Sequence, residues 1–218
     1  MKIAIVPAYN EAQSVTAVVG GLLPYVDEVV VVDDGSTDQT ASAAKAAGAT
    51  VLIHELNCGQ GASLETGHEY ARQKGAQIVV HFDADGQFNS FDVQKGIDLL
   101  LSSKADIILG SRFLGIESKI PWSKKNIILP IARLIERLAG AAPLTDAHNG
   151  FRIFNHKTLQ VLQLSQARMA HATEIPQIIV KHNLRYQEMP IIVTYQEFGQ
   201  SLGGGLKIIR DLIMNKIV

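Results

Sequence analysis

The chain has a single cysteine, Cys58, among its 218 residues. No intramolecular disulfide can form, and the composition suits a reducing compartment. No apolar run reaches the roughly 18 to 20 residues of a membrane-spanning helix. The opening MKIAIVPAYNEA has no long apolar core followed by a small-residue cleavage site, so no signal peptide is expected. Several catalytic signatures are missing too. There is no Walker A sequence. Gly59-Gln-Gly61 runs on into Ala62, Ser63 and Leu64 and does not complete G-x-G-x-x-G. His54-Glu55 and His68-Glu69 lack the second histidine of a zinc-protease helix. There is no internal repeat, and no linker long enough to separate a pair of domains. The net charge is only −1, and no nucleic acid is expected among the partners.

A hydrophobic content of 47% with 19% charged residues excludes a disordered or collagen-like chain. The length favours one domain, large enough to bury about 70% of the surface its unfolded chain would expose. The near-neutral total hides an asymmetry. Residues 1–111 hold 6 Lys+Arg and 14 Asp+Glu, whereas residues 112–218 hold 14 and 7. An acidic half suits a metal or sugar site, and a basic half suits phosphates or an anionic membrane surface.

The first half alternates β-rich runs with helical spacing. Strands are expected at Lys2–Pro7, Glu28–Asp33, Thr50–His54, Ile78–Asp83 and Ile107–Gly110. Helices are expected at Glu11–Leu23, Asp38–Ala47 (capped by Ser36 or Thr37), Gly61–Lys74 and Phe91–Ser102. Val/Ile runs separated by helices imply an open α/β sheet, mostly parallel and covered on both faces. After Arg112 the alternation changes. Ile116–Ser123 reads as a loop, Lys124–Leu138 as a basic helix, Thr145–Phe154 as a strand and Lys157–Leu164 as a short helix. Thr173–His182 follows as a helix with Pro176 in its first turn. Tyr186–Tyr195 is a late strand, where Pro190 argues for an edge position or a bulge. Residues 1–202 are read as one domain in two halves, 1–112 and 113–202. Gly203–Gly205 forms a break before an amphipathic helix, Leu206–Val218.

Ligands of an open parallel sheet bind beyond the carboxyl ends of its strands, and polar clusters fall at five of those ends. They are Pro7–Glu11, Asp33–Ser36, Asn57–Gly61, Asp83–Gln87 and Gly110–Arg112. Asp83 and Asp85, at i and i+2, point the same way if the chain stays extended. They can jointly face Mg²⁺ or Mn²⁺, hard cations that take oxygen ligands and share them with phosphates. Gln87 adds a neutral oxygen at the next alternate position. Cys58 reads as a small residue beside glycine, and His81, on an apolar strand, as a packed core histidine.

These clusters resemble family 2 glycosyltransferases of the GT-A fold, above all the polyprenyl-phosphate sugar transferases related to dolichol-phosphate mannose synthase. The resemblance covers residues 2–200. It is carried by IVPAYNE (5–11), VVVVDDGSTDQT (29–40), NCGQGASLETG (57–67), FDADGQ (82–87), LGSRF (109–113), LTDAHNGFRIF (144–154) and HATEI (171–175). It implies that Pro7, Tyr9, Glu11 and Asp34 hold the nucleotide base and ribose, with Asp33, Gly59 and Gly61 in the same substrate-binding loops. Asp83, Asp85 and Gln87 match the family's metal site, and Arg112 and Arg152 sit where the family places cations near phosphates. The sequence departs from dolichol-type relatives at Gln60, where they often carry Lys, and at Phe88, where they often carry His.

The resemblance further implies an inverting, metal-dependent transfer from a nucleotide-diphosphate sugar to a polyprenyl phosphate, for cell-envelope polysaccharide or glycan synthesis. A phosphate acceptor needs little help from a base. A saccharide hydroxyl would need one, from Glu174 or Asp146, although Glu174 equally suits the first turn of its helix. A non-catalytic sugar-nucleotide-binding subunit of a membrane complex is the other alternative. Asp83-Ala84-Asp85-Gly86 also resembles a haloacid-dehalogenase nucleophile loop, but that loop belongs on an early strand and the chain has no downstream Gly-Asp pair. The C-terminal helix, with Lys207, Arg210 and Lys216, and the basic region from Arg112 to Arg137 suggest a cytoplasmic protein peripheral to the inner face of the membrane. A small membrane partner subunit or a homo-oligomer would replace the missing spans.

Overall fold

The computed structural model describes residues 1–114, 141–165 and 171–194. The loop expected at Ile116–Ser123, the helices expected at Lys124–Leu138 and Leu206–Val218 and the break at Gly203–Gly205 lie outside them. Seven strands form one sheet: β1 (Lys2–Ala8), β2 (Glu28–Asp33), β3 (Thr50–Ile53), β4 (Ile78–His81), β5 (Ile107–Ser111), β6 (Arg152–Asn155) and β7 (Tyr186–Pro190). Their order is β3-β2-β1-β4-β6-β5-β7. Only β6 is reversed; it lies antiparallel to both β4 and β5.

Strand alternation sends successive side chains to opposite faces, so each strand feeds two cores. Ala4, Val6, Val29, Val31, Val80 and Ile153 pack beneath α1 (Val15–Leu22), α2 (Thr40–Ala46) and α4 (Phe91–Ser102). Ile3, Ile5, Val30, Val32, Val79 and Phe154 pack on the other face beneath α3 (Gln60–Gln73), α5 (His156–Val161) and α6 (His171–Lys181). His81 is buried there as expected, with its Nε2 2.7 Å from Nε2 of His68 and the two rings stacked. No helix among the described residues is long and apolar enough to cross a membrane.

The structure corrects several boundaries. α1 begins at Val15 because residues before it form a turn, in which the Glu11 carbonyl accepts from the Ser14 and Val15 amides. Ser36 and Thr37 do not cap α2. Ser36 Oγ instead accepts from the Asn10 amide at 2.9 Å, and the Thr37 amide donates to Asn10 Oδ1 at 2.9 Å. The Thr40 amide is satisfied by Asp38 Oδ1 at 2.9 Å. Thr145–Phe151 is not strand. Asn149 Oδ1 takes the Phe151 amide at 2.9 Å and the Asn149 amide bonds the Asp146 carbonyl, local bonds that compete with a ladder. α6 begins at His171, so Pro176 lies past the first turn. Pro190 ends β7, an edge strand paired to β5 alone.

Candidate active site

The carboxyl ends of β1, β2 and β4 open into one cleft of about 410 Å³, within the range of small-ligand sites. Pro7, Tyr9 and Glu11 line it from the first loop, and Asp34 and Gly59 from the second and third. Asp83 and Asp85 line it as well. The first two loops are stitched together by the Asn10–Thr37 bond and by the Glu11 amide donating to Thr40 Oγ1 at 2.8 Å. Asn10 holds a left-handed φ of 57° and Gly35 one of 72°. An added Cβ on Gly35 would also meet the Asn57 amide nitrogen at 3.0 Å, so this turn requires glycine.

Asp34 organises the wall of the cleft. Its carboxylate accepts the backbone amides of Cys58 at 2.9 Å and Gly59 at 2.7 Å, and the Nδ1 of His54 lies 2.8 Å away. Burial pushes this carboxyl upward, but the bonds from His54, Cys58 and Gly59 outweigh it and hold it below the usual carboxylate range. Asp34 is therefore an anion at neutral pH. Its neighbour Asp33 turns away. Asp33 Oδ1 accepts from the hydroxyl and amide of Ser36, and Asp33 does not line the cleft. Gly61 is buried within α3.

Asp83 and Asp85 stand on a rigid base. Phe82, Phe88 and Phe151 meet edge to face with centroids 5.5 to 6.1 Å apart, and Phe88 bridges to Val193. The departure at Phe88 thus serves packing. The other departure, Gln60, reaches the site itself, since its Nε2 donates to Asp83 Oδ1 at 2.9 Å. Asp83 is pushed up to about 6, chiefly by burial and then by the Asp85 charge, against the pull of Arg152 and Gln60. Two carboxylates set close enough to repel are a donor set that a hard divalent cation fits. The Gln87 amide donates to Asp85 Oδ1 at 3.0 Å and fixes that carboxylate, but Gln87 does not line the cleft.

The second half of the chain enters through β6. Arg152, its first residue, is 2% exposed and opposes His81 at the end of β4. Burial lowers it to about 10, with Asp83 and Asp146 pulling upward, so it remains a cation beneath the carboxylates. Arg112, after β5, is gripped by Asp146 through Nε at 2.7 Å and Nη2 at 2.8 Å. The adjacent Thr145 bonds Glu188 and Ser111, which pins this turn to β7 and β5. Glu174 takes the amide and hydroxyl of Ser165. Sequence reasoning misses Gly150, although it finds the motif that contains it. An added Cβ there would lie 2.1 Å from Asp83 Oδ2. It likewise misses His54 and Gln60 as carboxylate partners, because each contact joins separate loops.

Residues 3–162 match the sequence pattern described as Glycosyl transferase family 2. The UDP-N-acetylglucosamine–dolichyl-phosphate N-acetylglucosaminyltransferase of Methanococcus voltae is 32% identical, over 98% of this chain and 95% of its own. The undecaprenyl-phosphate mannosyltransferase of Micrococcus luteus is 27% identical over 98% and 91%. Among solved structures, glucosyl-3-phosphoglycerate synthase from Mycobacterium tuberculosis, crystallised with Mn²⁺, UDP and phosphoglyceric acid, superposes with a TM-score of 0.73. That match has 19% identity and covers 98% of this chain and 76% of the other, and it shows the shared GT-A fold. The family pattern runs through every loop that builds the cleft, and it is joined by a relative above 30% identity along nearly the whole length: this chain belongs to glycosyl transferase family 2.

Proposed function

We propose that the protein is an inverting glycosyltransferase that moves a sugar from a nucleoside diphosphate to a polyprenyl phosphate, with Mg²⁺ or Mn²⁺ held by Asp83 and Asp85. The observation that carries this reading is the pairing of those carboxylates in one cleft with the anionic, amide-bonded Asp34. When bound, such a cation neutralises the charge of the departing diphosphate. Asp34 and the first loop bind the nucleoside, and Gln60 orients Asp83. Arg112, held by Asp146, offers its cation to a phosphate. An acceptor phosphate oxygen attacks the anomeric carbon in line with the bond to the donor's β-phosphate. The new C–O bond forms as that bond breaks, the nucleoside diphosphate leaves and the centre inverts.

A specific observation favours a phosphate over a hydroxyl acceptor. Both side chains considered as bases are engaged: Asp146 by Arg112, which helps hold it below the usual carboxylate range against the upward push of burial, and Glu174 by Ser165. A phosphate is already an anionic nucleophile and needs neither. The named acceptors of the relatives, dolichyl phosphate and undecaprenyl phosphate, support the same class. We place the reaction at the cytoplasmic leaflet, reached directly or through a small membrane subunit or second copy, because the sequence concentrates cations in Arg112–Arg137 and in Leu206–Val218.

Calorimetric titration of UDP- and GDP-sugars in Mn²⁺, followed by transfer assays with short polyprenyl phosphates, tests the reading. Binding of one donor and formation of a lipid-phosphate sugar are expected. Donor binding with transfer only to a saccharide hydroxyl would overturn the acceptor assignment.

A further inference from the structure

Asp34, His54 and Cys58 bring a carboxylate oxygen, an imidazole nitrogen and a thiol sulfur within 4.8 Å of one another, and no other such group occurs among the described residues. We propose that these three side chains form a binding site for a thiophilic divalent cation of the Zn²⁺ class, distinct from the all-oxygen pair Asp83 and Asp85.

The ligand chemistry separates the two sites. Sulfur and imidazole select Zn²⁺ and its soft relatives, while paired carboxylates suit Mg²⁺ and Mn²⁺. The geometry is nearly formed. Asp34 Oδ1 and His54 Nδ1 are 2.8 Å apart. Zinc bonds of about 2.0 Å set a tetrahedral edge of about 3.3 Å, so the pair needs to open only slightly. Cys58 is exposed and its Sγ makes only a weak contact, 3.3 Å from the Leu56 carbonyl, so the sulfur is free to swing inward.

The protons balance. In the hydrogen-bonded form Nδ1–H donates to Asp34. With an ion on Nδ1 that proton sits on Nε2, 2.9 Å from Thr66 Oγ1, a hydroxyl that can donate to the bare nitrogen or accept from the protonated one. The Cys58 thiol gives its proton to solvent, one per ion bound. The fourth position is left for water.

Occupancy has a consequence for the cleft. Asp34 is one of its lining residues, so an ion at this site takes that carboxylate away from a nucleoside. The resulting competition rests on the donor reading above; the metal binding does not.

The full chain, stripped with EDTA and dialysed into excess Mg²⁺ to occupy the hard site, is titrated with Co²⁺. Cys58 is the only cysteine, so a thiolate-to-cobalt charge-transfer band has one source. A band saturating at one equivalent and bleached by Zn²⁺ is expected. It should vanish in Cys58→Ser, and His54→Gln should weaken Co²⁺ by about tenfold or more, at least the loss typical of an outer-shell partner. No band in the unmodified chain, or undiminished affinity in His54→Gln, would overturn the site. UDP binding in Mg²⁺, measured with and without one equivalent of Zn²⁺, should fall in the unmodified chain and not in Cys58→Ser. Equal UDP affinity in both conditions overturns the competition. If UDP fails to bind in Mg²⁺ at all, the donor reading falls, and the cobalt band still decides the metal site.

Discussion

Asp146 holds Arg112 by two side-chain bonds, Nε to Oδ2 at 2.7 Å and Nη2 to Oδ1 at 2.8 Å, and takes the Arg112 amide at 3.1 Å as well. A residue that the sequence offers as a base is thereby the clamp for a cation. Hydrogen bonds to charged groups contribute about 1.5–3 kcal/mol. Asp146→Asn is therefore expected to lower kcat/KM by about 10- to 100-fold. Arg112→Lys should do likewise, because an ammonium cannot make the two-point fork. The double variant should lose little more than either single one. Additive losses in a transfer assay would show that the two side chains act separately.

Asp85 is half-buried on a loop and contributes little to either core. Asp85→Ala should therefore abolish transfer while unfolding within about 0.5 kcal/mol of the unmodified protein, as surface changes do. Excess EDTA should reproduce the loss. Retained activity in the variant, or in EDTA, removes the metal-dependent mechanism.

Asp83 carries a pH signature. Its folded value of about 6 stands above the ordinary 3.8. Between those values the folded chain keeps a proton that the unfolded chain has released. The metal-free protein therefore loses stability as pH rises through this window, and the effect is complete above it. A cation needs the carboxylate, so Mn²⁺ affinity should fall by about tenfold for each pH unit below 6, with proton release on binding. Calorimetry between pH 5 and 7.5 checks this, and a flat affinity across that range contradicts it.

Gly150 tests how tightly the turn ahead of β6 meets the carboxylate proposed to hold the metal. A methyl group there would sit 2.1 Å from Asp83 Oδ2 and 2.7 Å from its Cγ. Gly150→Ala should displace the carboxylate, lowering Mn²⁺ affinity and transfer together, at about 1–3 kcal/mol of overpacking strain. If both measurements match the unmodified protein, the loop yields and the contact is not restrictive.

The first half of the chain is nearly complete in the sequence, because its strands are rich in Val and Ile and each ends in a polar turn. The sheet class, the two-sided core and the positions of Asp34, Asp83 and Asp85 all follow from that pattern. The errors have physical causes. Apolar periodicity does not reveal that Asn149 and Asp146 spend their bonding capacity on their own turn, so Thr145–Phe151 reads as strand. Nor can spacing show that Gln60 reaches Asp83 or that Asp146 reaches Arg112, since those partners lie 23 and 34 residues apart. Asp33 and Asp34 look alike in sequence, and only the turn at Ser36 separates the structural carboxylate from the one facing the cleft.

The reversal of β6 has a consequence for how such a catalyst diversifies. After β1, β2 and β4 the chain reaches the cleft as it leaves the sheet, so any change in loop length there pushes on α1, α2 or α4. In β6 the chain reaches the cleft before it enters the sheet, with Arg152 as the first paired residue. The turn from Thr145 to Phe151 is fixed by its bonds to β5, β7 and Arg112, so length changes that leave the register of β6 and the place of α5 untouched must fall ahead of Thr145. The chain ahead of Thr145 is therefore a replaceable cassette, while the loops after β1, β2 and β4 stay under the constraint of the helices they feed.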